Sequence, residues 1–184
     1  GRPAPSPAAR TGERRLHGAG SARVAAAPER LWAMLLDPAT LGAVIPGCHG
    51  VEKLSDTHFR AEVTLGIGPV KGRYRAEVML SDLDPPHAVT LGGRAEGGLG
   101  FGGGEGRLTL VPDGTGTRLD YRYDAAIGGK VASIGGRLLD GAAKVIIGQF
   151  FTALARHAGG GVAPSAGLLS LWAGRLRALL GRQS

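Results

Sequence analysis

The segment from Trp32 to Cys48, WAMLLDPATLGAVIPGC, constrains the fold of this 184-residue chain more than any other. It predicts a short amphipathic helix broken at Asp37-Pro38, then a second helical turn halted at Pro46-Gly47. A proline after Asp37 biases that residue out of the helical region. Pro46 again cannot continue a helix, and Gly47 permits the turn that follows. A strand is expected from Cys48 onward. Ahead of the block, a first strand is expected from Leu16 to Val24, and Pro28 suits the first turn of a Glu29–Leu36 helix.

Beyond the block the periodicity is two. Phe59, Ala61, Val63, Leu65 and Ile67 alternate with Arg60, Glu62, Thr64 and Gly66. Val70, Tyr74, Ala76, Val78 and Leu80 alternate with Lys71, Arg73, Arg75 and Glu77. Leu119, Tyr121, Tyr123, Ala125 and Ile127 alternate with Arg118, Asp120, Arg122 and Asp124. Such alternation predicts antiparallel strands with one wet face and one buried face. Gly68-Pro69, Asp84-Pro85-Pro86 and Pro112-Asp113-Gly114 supply turns.

From Lys130 to His157 the period becomes helical. Val131, Ile134, Leu138, Ala142, Val145, Gln149, Ala153 and His157 form one stripe, with Ile146, Phe150 and Leu154 beside it. Gly135, Gly136, Gly141 and Gly148 interrupt it, each costing about 1 kcal/mol against alanine in a helix. Either they allow close helix–sheet packing or they leave room for a ligand.

These elements predict an α+β helix-grip fold. A bent antiparallel sheet of six or seven strands surrounds a long C-terminal helix, with two short helices after the first strand. The space between helix and sheet suits a small hydrophobic ligand. Expected lining residues are Leu65, Ile67, Tyr74, Val78, Leu91, Phe101, Tyr121, Tyr123, Leu138, Ile146 and Phe150.

The net charge of +7 suggests an anionic partner, but all the excess lies in the tails. Residues 1–23 carry five arginines against Glu13, and residues 159–184 carry Arg175, Arg177 and Arg182 with no acid. Residues 24–158 hold 14 bases and 14 acids. A nucleic-acid-binding body normally bears its own basic patch, so nucleic acid is not an expected partner. The single cysteine, Cys48, excludes an intrachain disulfide and favours a cytoplasmic setting. No run of apolar residues is long enough for a bilayer span, and residues 1–20 lack the apolar region of a secretory signal.

Catalytic motifs are not found. Gly98-Leu99-Gly100-Phe101-Gly102-Gly103 fits G-x-G-x-x-G in letters, but a strand pattern, not a helix, follows it. A flexible or bulged rim over the cavity is expected there instead. His17, His49, His58, His87 and His157 are scattered without metal-ligand spacing. Cys48-His49 lacks an orienting acid nearby in sequence.

The ends read differently. Residues 1–15 are expected to form a disordered basic arm, 16–158 the helix-grip domain, 159–166 a Gly/Pro linker and 167–184 a basic amphipathic helix. In the last segment Leu168, Leu169, Trp172, Leu176, Leu179 and Leu180 cover an arc of about 120°. With Leu171, Arg175, Arg177 and Arg182, they predict an interfacial membrane helix. Docking onto the chain's own body or onto a partner is the alternative.

Leu35-Leu36-Asp37-Pro38 and Ile45-Pro46-Gly47-Cys48 resemble the opening signature of the carbon monoxide dehydrogenase G-subunit family, within the START-like (SRPBCC) superfamily. The resemblance continues through Gly68-Pro69-Val70-Lys71-Gly72, Leu83-Asp84-Pro85-Pro86, Gly128-Gly129-Lys130, Gly135 and Gln149-Phe150-Phe151. It departs at 97–106 and in the N-terminal arm. It implies a non-catalytic accessory protein of a molybdenum hydroxylase, with no cofactor of its own. Its implied roles are binding a hydrophobic ligand, a quinone being one candidate, and recruiting the hydroxylase to the inner face of the cell membrane. A ligand-free assembly factor and a polyketide cyclase-like enzyme using the same cavity are the alternatives.

Overall fold

The computed structural model describes residues 13–67 and 70–159, and the side chains of Ile67 and Val70 are outside that set. The N-terminal arm before residue 13 and the whole predicted tail helix, including Leu168 to Arg182, therefore lie outside the described residues.

Strand β1 (Arg14–Val24) leads into α1 (Pro28–Leu35) and α2 (Pro38–Val44). Six strands follow: β2 (Cys48–Ser55), β3 (His58–Ile67), β4 (Val70–Asp84), β5 (Ala88–Gly97), β6 (Gly100–Asp113) and β7 (Gly116–Gly128). A 3-10 turn over Lys130–Ile134 then precedes α3 (Gly136–His157). The strands form one antiparallel sheet ordered β1-β7-β6-β5-β4-β3-β2, a meander from β2 to β7 closed by β1. The backbone of α3 comes close to β1 on one side and β3 on the other, and stands off from the strands between them. That is the helix-grip architecture.

The prolines expected to open the two short helices do so. Pro28 and Pro38 each stand in the first turn of a helix. Asp37 caps α2: its carboxylate accepts from the Thr40 amide at 3.1 Å and the Thr40 hydroxyl at 2.7 Å. Deep in the same corner, the buried Thr117 hydroxyl donates to the Ala26 carbonyl at 2.6 Å, fixing the exit of β1 to the start of β7.

The alternation of the strands sorts charge from core. Leu16, Ala22, Val24, Leu110, Leu119, Val63 and Phe59 are buried on the concave face. On the outer face Glu77 of β4 receives Arg94 at 2.8 Å and Arg60 at 3.6 Å, and Glu62 receives Arg73 at 2.6 Å. Arg94 in particular holds the Glu77 carboxyl below its usual range.

Several expectations change. The helix does not run unbroken from Lys130: Gly135, at φ +102°, separates the 3-10 turn from α3. That backbone state suits glycine. The buried face of α3 carries Leu139, Phe151, Leu154 and Ala155, whereas Leu138 is 51% and Val145 58% exposed. The predicted stripe was rotated because Leu138-Leu139, Ile146-Ile147 and Phe150-Phe151 are apolar doublets, which fit two helical phases about 100° apart. Finally, residues 97–106 are not a bulged rim. Gly97 pairs with Gly100, and β5 stays in register with β6 through Ala88↔Thr109.

By length and composition α3 could also cross a membrane, contrary to the sequence reading. Its buried residues Leu139, Phe151, Leu154 and Ala155 pack one face of it into the domain's hydrophobic clusters.

These placements generate three expectations. Leu139→Ala should cost about 2–5 kcal/mol in denaturant unfolding, and Leu138→Ala within about 0.5 kcal/mol of nothing. A Cβ on Gly104 would run into the Asp124 carbonyl and Ala125, whereas one on Gly93 would meet only the Glu77 carbonyl at 3.8 Å. Gly104→Ala should therefore destabilise by about 1–3 kcal/mol while Gly93→Ala is neutral or stabilising. The Thr40 hydroxyl, then its amide, hold the Asp37 carboxyl below the usual range. A depressed carboxylate stabilises fully above its unfolded pKa and ceases to do so as pH falls through its folded value. Asp37→Ala should thus lower the melting temperature at neutral pH, with the gap to wild type closing below about pH 4.

Candidate functional site: a glycine-floored trough

The concave face is not filled evenly. One buried cluster joins Val24, Leu31, Leu110 and Leu119 to Phe151, Leu154 and Ala155 at the C-terminal half of α3. A second joins Leu16 and Val131 to Leu139 at its N-terminal end. Between them, β4, β5 and β6 present small residues to the concave side: Ala76, Gly93, Ala95, Gly97, Gly102, Gly104 and Gly106. Gly93 and Gly104 face each other across the β5–β6 pairing and are both exposed, as is Gly97. The floor of this trough is open.

Larger apolar side chains form its walls. Leu65, Val78 and Leu91 are half-buried on the concave face, and Ile146 and Phe150 are half-buried on a flank of α3. Phe150 meets Phe151 edge to face at 5.3 Å, and Phe151 stacks on Tyr121 at 5.3 Å. Of the predicted lining residues, these and the three tyrosines lie on the trough side. The backbone of Ile67 is in β3, but its side chain lies outside the described set.

Two predicted residues are elsewhere. Phe101 shares the outer face with Glu105 and Arg107 and is 51% exposed, its ring covering Gly128. Its parity in β6 decides this, and the glycines around it hid the alternation. Leu138 points away from the sheet for the reason of helical phase given above.

The tyrosines each lie across a cross-strand glycine. Tyr121 covers Gly20, Tyr123 covers Gly18, and Tyr74 lies against Gly97 and Gly72. A Cβ on Gly18, Gly20 or Gly97 would strike the ring, so the small residue is what lets the ring lie flat on the sheet. Burial raises the pKa of all three phenols; Tyr123 also has the Asp140 carboxylate nearby, which adds to its rise. They therefore remain neutral hydrogen-bond donors at physiological pH.

The trough opens at the end formed by the start of β1, the β5–β6 connection, the 3-10 turn and the first turn of α3. There the Val131 amide donates to the Leu99 carbonyl at 2.9 Å and Arg14 Nε to the Ala132 carbonyl at 2.9 Å. At the ends of β4 and β5 a pocket of about 420 Å³ is bounded by Glu62, Arg73, Tyr74, Arg75, Glu96 and Gly97. Sequence reasoning missed this pocket. Its charged members Glu62, Arg73 and Arg75 read only as a wet face, and the register of the strands brings Glu96 beside them.

Cys48 is a free thiol, and His49 Nε2 bonds the Thr64 hydroxyl at 2.6 Å. No group of three His, Cys, Asp or Glu among the described residues is placed to hold a metal ion.

Proteins of known structure share this fold. A conserved protein from Geobacillus kaustophilus is 38% identical, with a TM-score of 0.75, over 78% of this chain and 95% of that one. The Zhui aromatase/cyclase from Streptomyces sp. R1128 shares the fold at 14% identity and a TM-score of 0.61, over 79% and 94%. A START superfamily protein from Mycobacterium smegmatis does so at 16% and 0.57, over 77% and 96%. A comparison with curated proteins gives no match. The family model for the carbon monoxide dehydrogenase G subunit (CoxG) matches residues 20–159, nearly all of the sheet, the two short helices and the whole of α3, and the chain belongs to that family.

Proposed function

We propose that this chain is a non-catalytic accessory protein that holds a hydrophobic small molecule in the trough between α3 and the sheet. The observation that carries the reading is the open glycine floor. Gly93 and Gly104 are exposed in the middle of a seven-stranded sheet, where larger side chains would otherwise fill the space under the helix. Apolar walls and an accessible floor are what a lipophilic ligand requires. Tyr74, Tyr121 and Tyr123 make no hydrogen bond among the described residues, and neutral phenols can donate to carbonyl oxygens. That chemistry supports a quinone as the ligand.

Membership of the CoxG family supports association with a carbon monoxide dehydrogenase-type molybdenum hydroxylase. In this reading the Leu168–Arg182 segment holds the pair at the inner face of the cell membrane. Half-burying its leucines and Trp172 would contribute on the order of 5 kcal/mol, reduced by the ordering of the helix, so attachment is reversible.

A titration with menaquinone-2, followed by quenching of intrinsic fluorescence, tests the ligand. Gly93→Leu should weaken binding at least about tenfold, since its side chain would occupy the trough, while the melting temperature stays near that of wild type. Equal affinity in the variant, or no binding by wild type, would leave a ligand-free assembly factor as the better reading. For the tail, Trp172 emission should shift to the blue with anionic vesicles, and Trp172→Phe should remove that shift.

A further inference from the structure

Helix α3 is apolar enough to cross a membrane, yet only four of its 22 residues are buried. Its solvent side shows the mismatch. At about 100° per residue, Gly141, Ala142, Val145, Gln149 and Thr152 all fall within about 60° of Leu138. No charged residue shares that arc until Arg156, in the last turn. Arg137, Asp140 and Lys144 stand at least about 100° away from it. Leu138 and Val145 are each more than half exposed. The outward face of a surface helix ordinarily carries charge, and this one does not.

The chain runs on from this helix with a segment of matching character. Gly159, at φ +80°, is the left-handed residue that ends α3 and turns the backbone off its axis. Residues 160–184 follow, outside the described residues. The connection 160–166 has the length that joins antiparallel helix neighbours. Residues 167–184, read as an amphipathic helix, extend about 27 Å, against about 33 Å for α3. Their leucine and Trp172 arc is about as wide as the uncharged arc of α3.

We propose that residues 167–184 fold back antiparallel on α3, with their leucines and Trp172 covering the outward face of Leu138, Val145 and Gln149. A second copy of the chain is the competing occupant. The short connection favours the chain's own tail, because it holds that segment at an effective concentration on the order of millimolar. A separate molecule has to match that concentration. The same leucine face serves the membrane attachment proposed above, so the two seats exclude each other. Docking goes beyond that reading by making release from α3 a condition of attachment. It does not depend on the trough's ligand.

The test is hydrogen exchange of the full chain without vesicles, read by mass spectrometry. One variant carries Val145→Lys and Gln149→Lys, both at exposed positions. A second carries the same added charge in exposed hairpin turns away from α3, Thr57→Lys and Thr115→Lys. Melting temperatures confirm that both are folded. Amides of 168–180 should exchange at least about tenfold faster in the first variant than in wild type, and within about twofold of wild type in the second. Contact is read separately with a bimane label on Gln149→Cys in a Cys48→Ser chain. Trp172 should quench that label, and Trp172→Phe should restore its emission. With phosphatidylglycerol-containing vesicles the first variant should partition at least about threefold more strongly than the second, since its tail is already free. Its Trp172 blue shift should also exceed that of wild type, because it starts from water.

Equal exchange of 168–180 in wild type and the first variant would overturn the docking, whether fast in both or slow in both. So would protection that fades on dilution together with a sedimenting mass of two chains, which gives the face to a second copy. Equal acceleration in both variants would reduce the effect to net charge and overturn it as well. Failure of every chain to bind vesicles, with the tail protected in wild type and released in the first variant, would support the docking and remove the membrane reading.

Discussion

The trough depends on how α3 is held, by two separate hydrophobic contacts and little between them. Phe151, Leu154 and Ala155 fix its C-terminal half against Leu110, Leu119 and Val24, and Leu139 fixes its N-terminal end against Leu16 and Val131. Each large side chain so buried stabilises by about 1.5–3 kcal/mol. A helix held at two points can bridge a gap, and the gap persists because the strands below it carry glycine and alanine. Were those positions leucine or valine, the same backbone would give an ordinary filled core.

The outer face contributes differently. Its ion pairs, such as Arg94–Glu77 and Arg73–Glu62, involve exposed arginines, and such pairs are worth little in water. Their effect is negative specificity: charge on that face keeps the wide sheet from stacking on another apolar surface. The stability lost by leaving the trough unfilled must therefore come from the two clusters and from the corner where Thr117 ties β7 to Ala26.

Much of this was legible in the sequence, and the failures have physical causes. β3, β4 and β7 announce themselves because large apolar side chains alternate with charges, and the Asp37-Pro38 and Pro46-Gly47 punctuation marks the short helices. Gly47 shows why that signature is so constrained: at φ +70° it packs where a Cβ would strike the Thr64 carbonyl. The junction of β5 and β6 was opaque because pattern reading needs side chains. A strand written Gly100-Phe101-Gly102-Gly103-Gly104 has none to alternate except Phe101, and that one faces outward. The phase of α3 was opaque for the opposite reason, since its doublets offer too many apolar choices. The site was thus hardest to read where it is most specialised, because a floor of glycines gives no side-chain pattern to read.

Charge shows the same limit from another side. A sum over sequence treats Lys130 and Asp84 as cancelling, although the fold sets them at opposite ends of the domain. Screening in physiological salt falls off over about 8 Å, so charges at the two ends of a helix about 33 Å long scarcely sense one another. A surface approaching one end meets that end's field alone. A body that is neutral in sum therefore need not be neutral at either end.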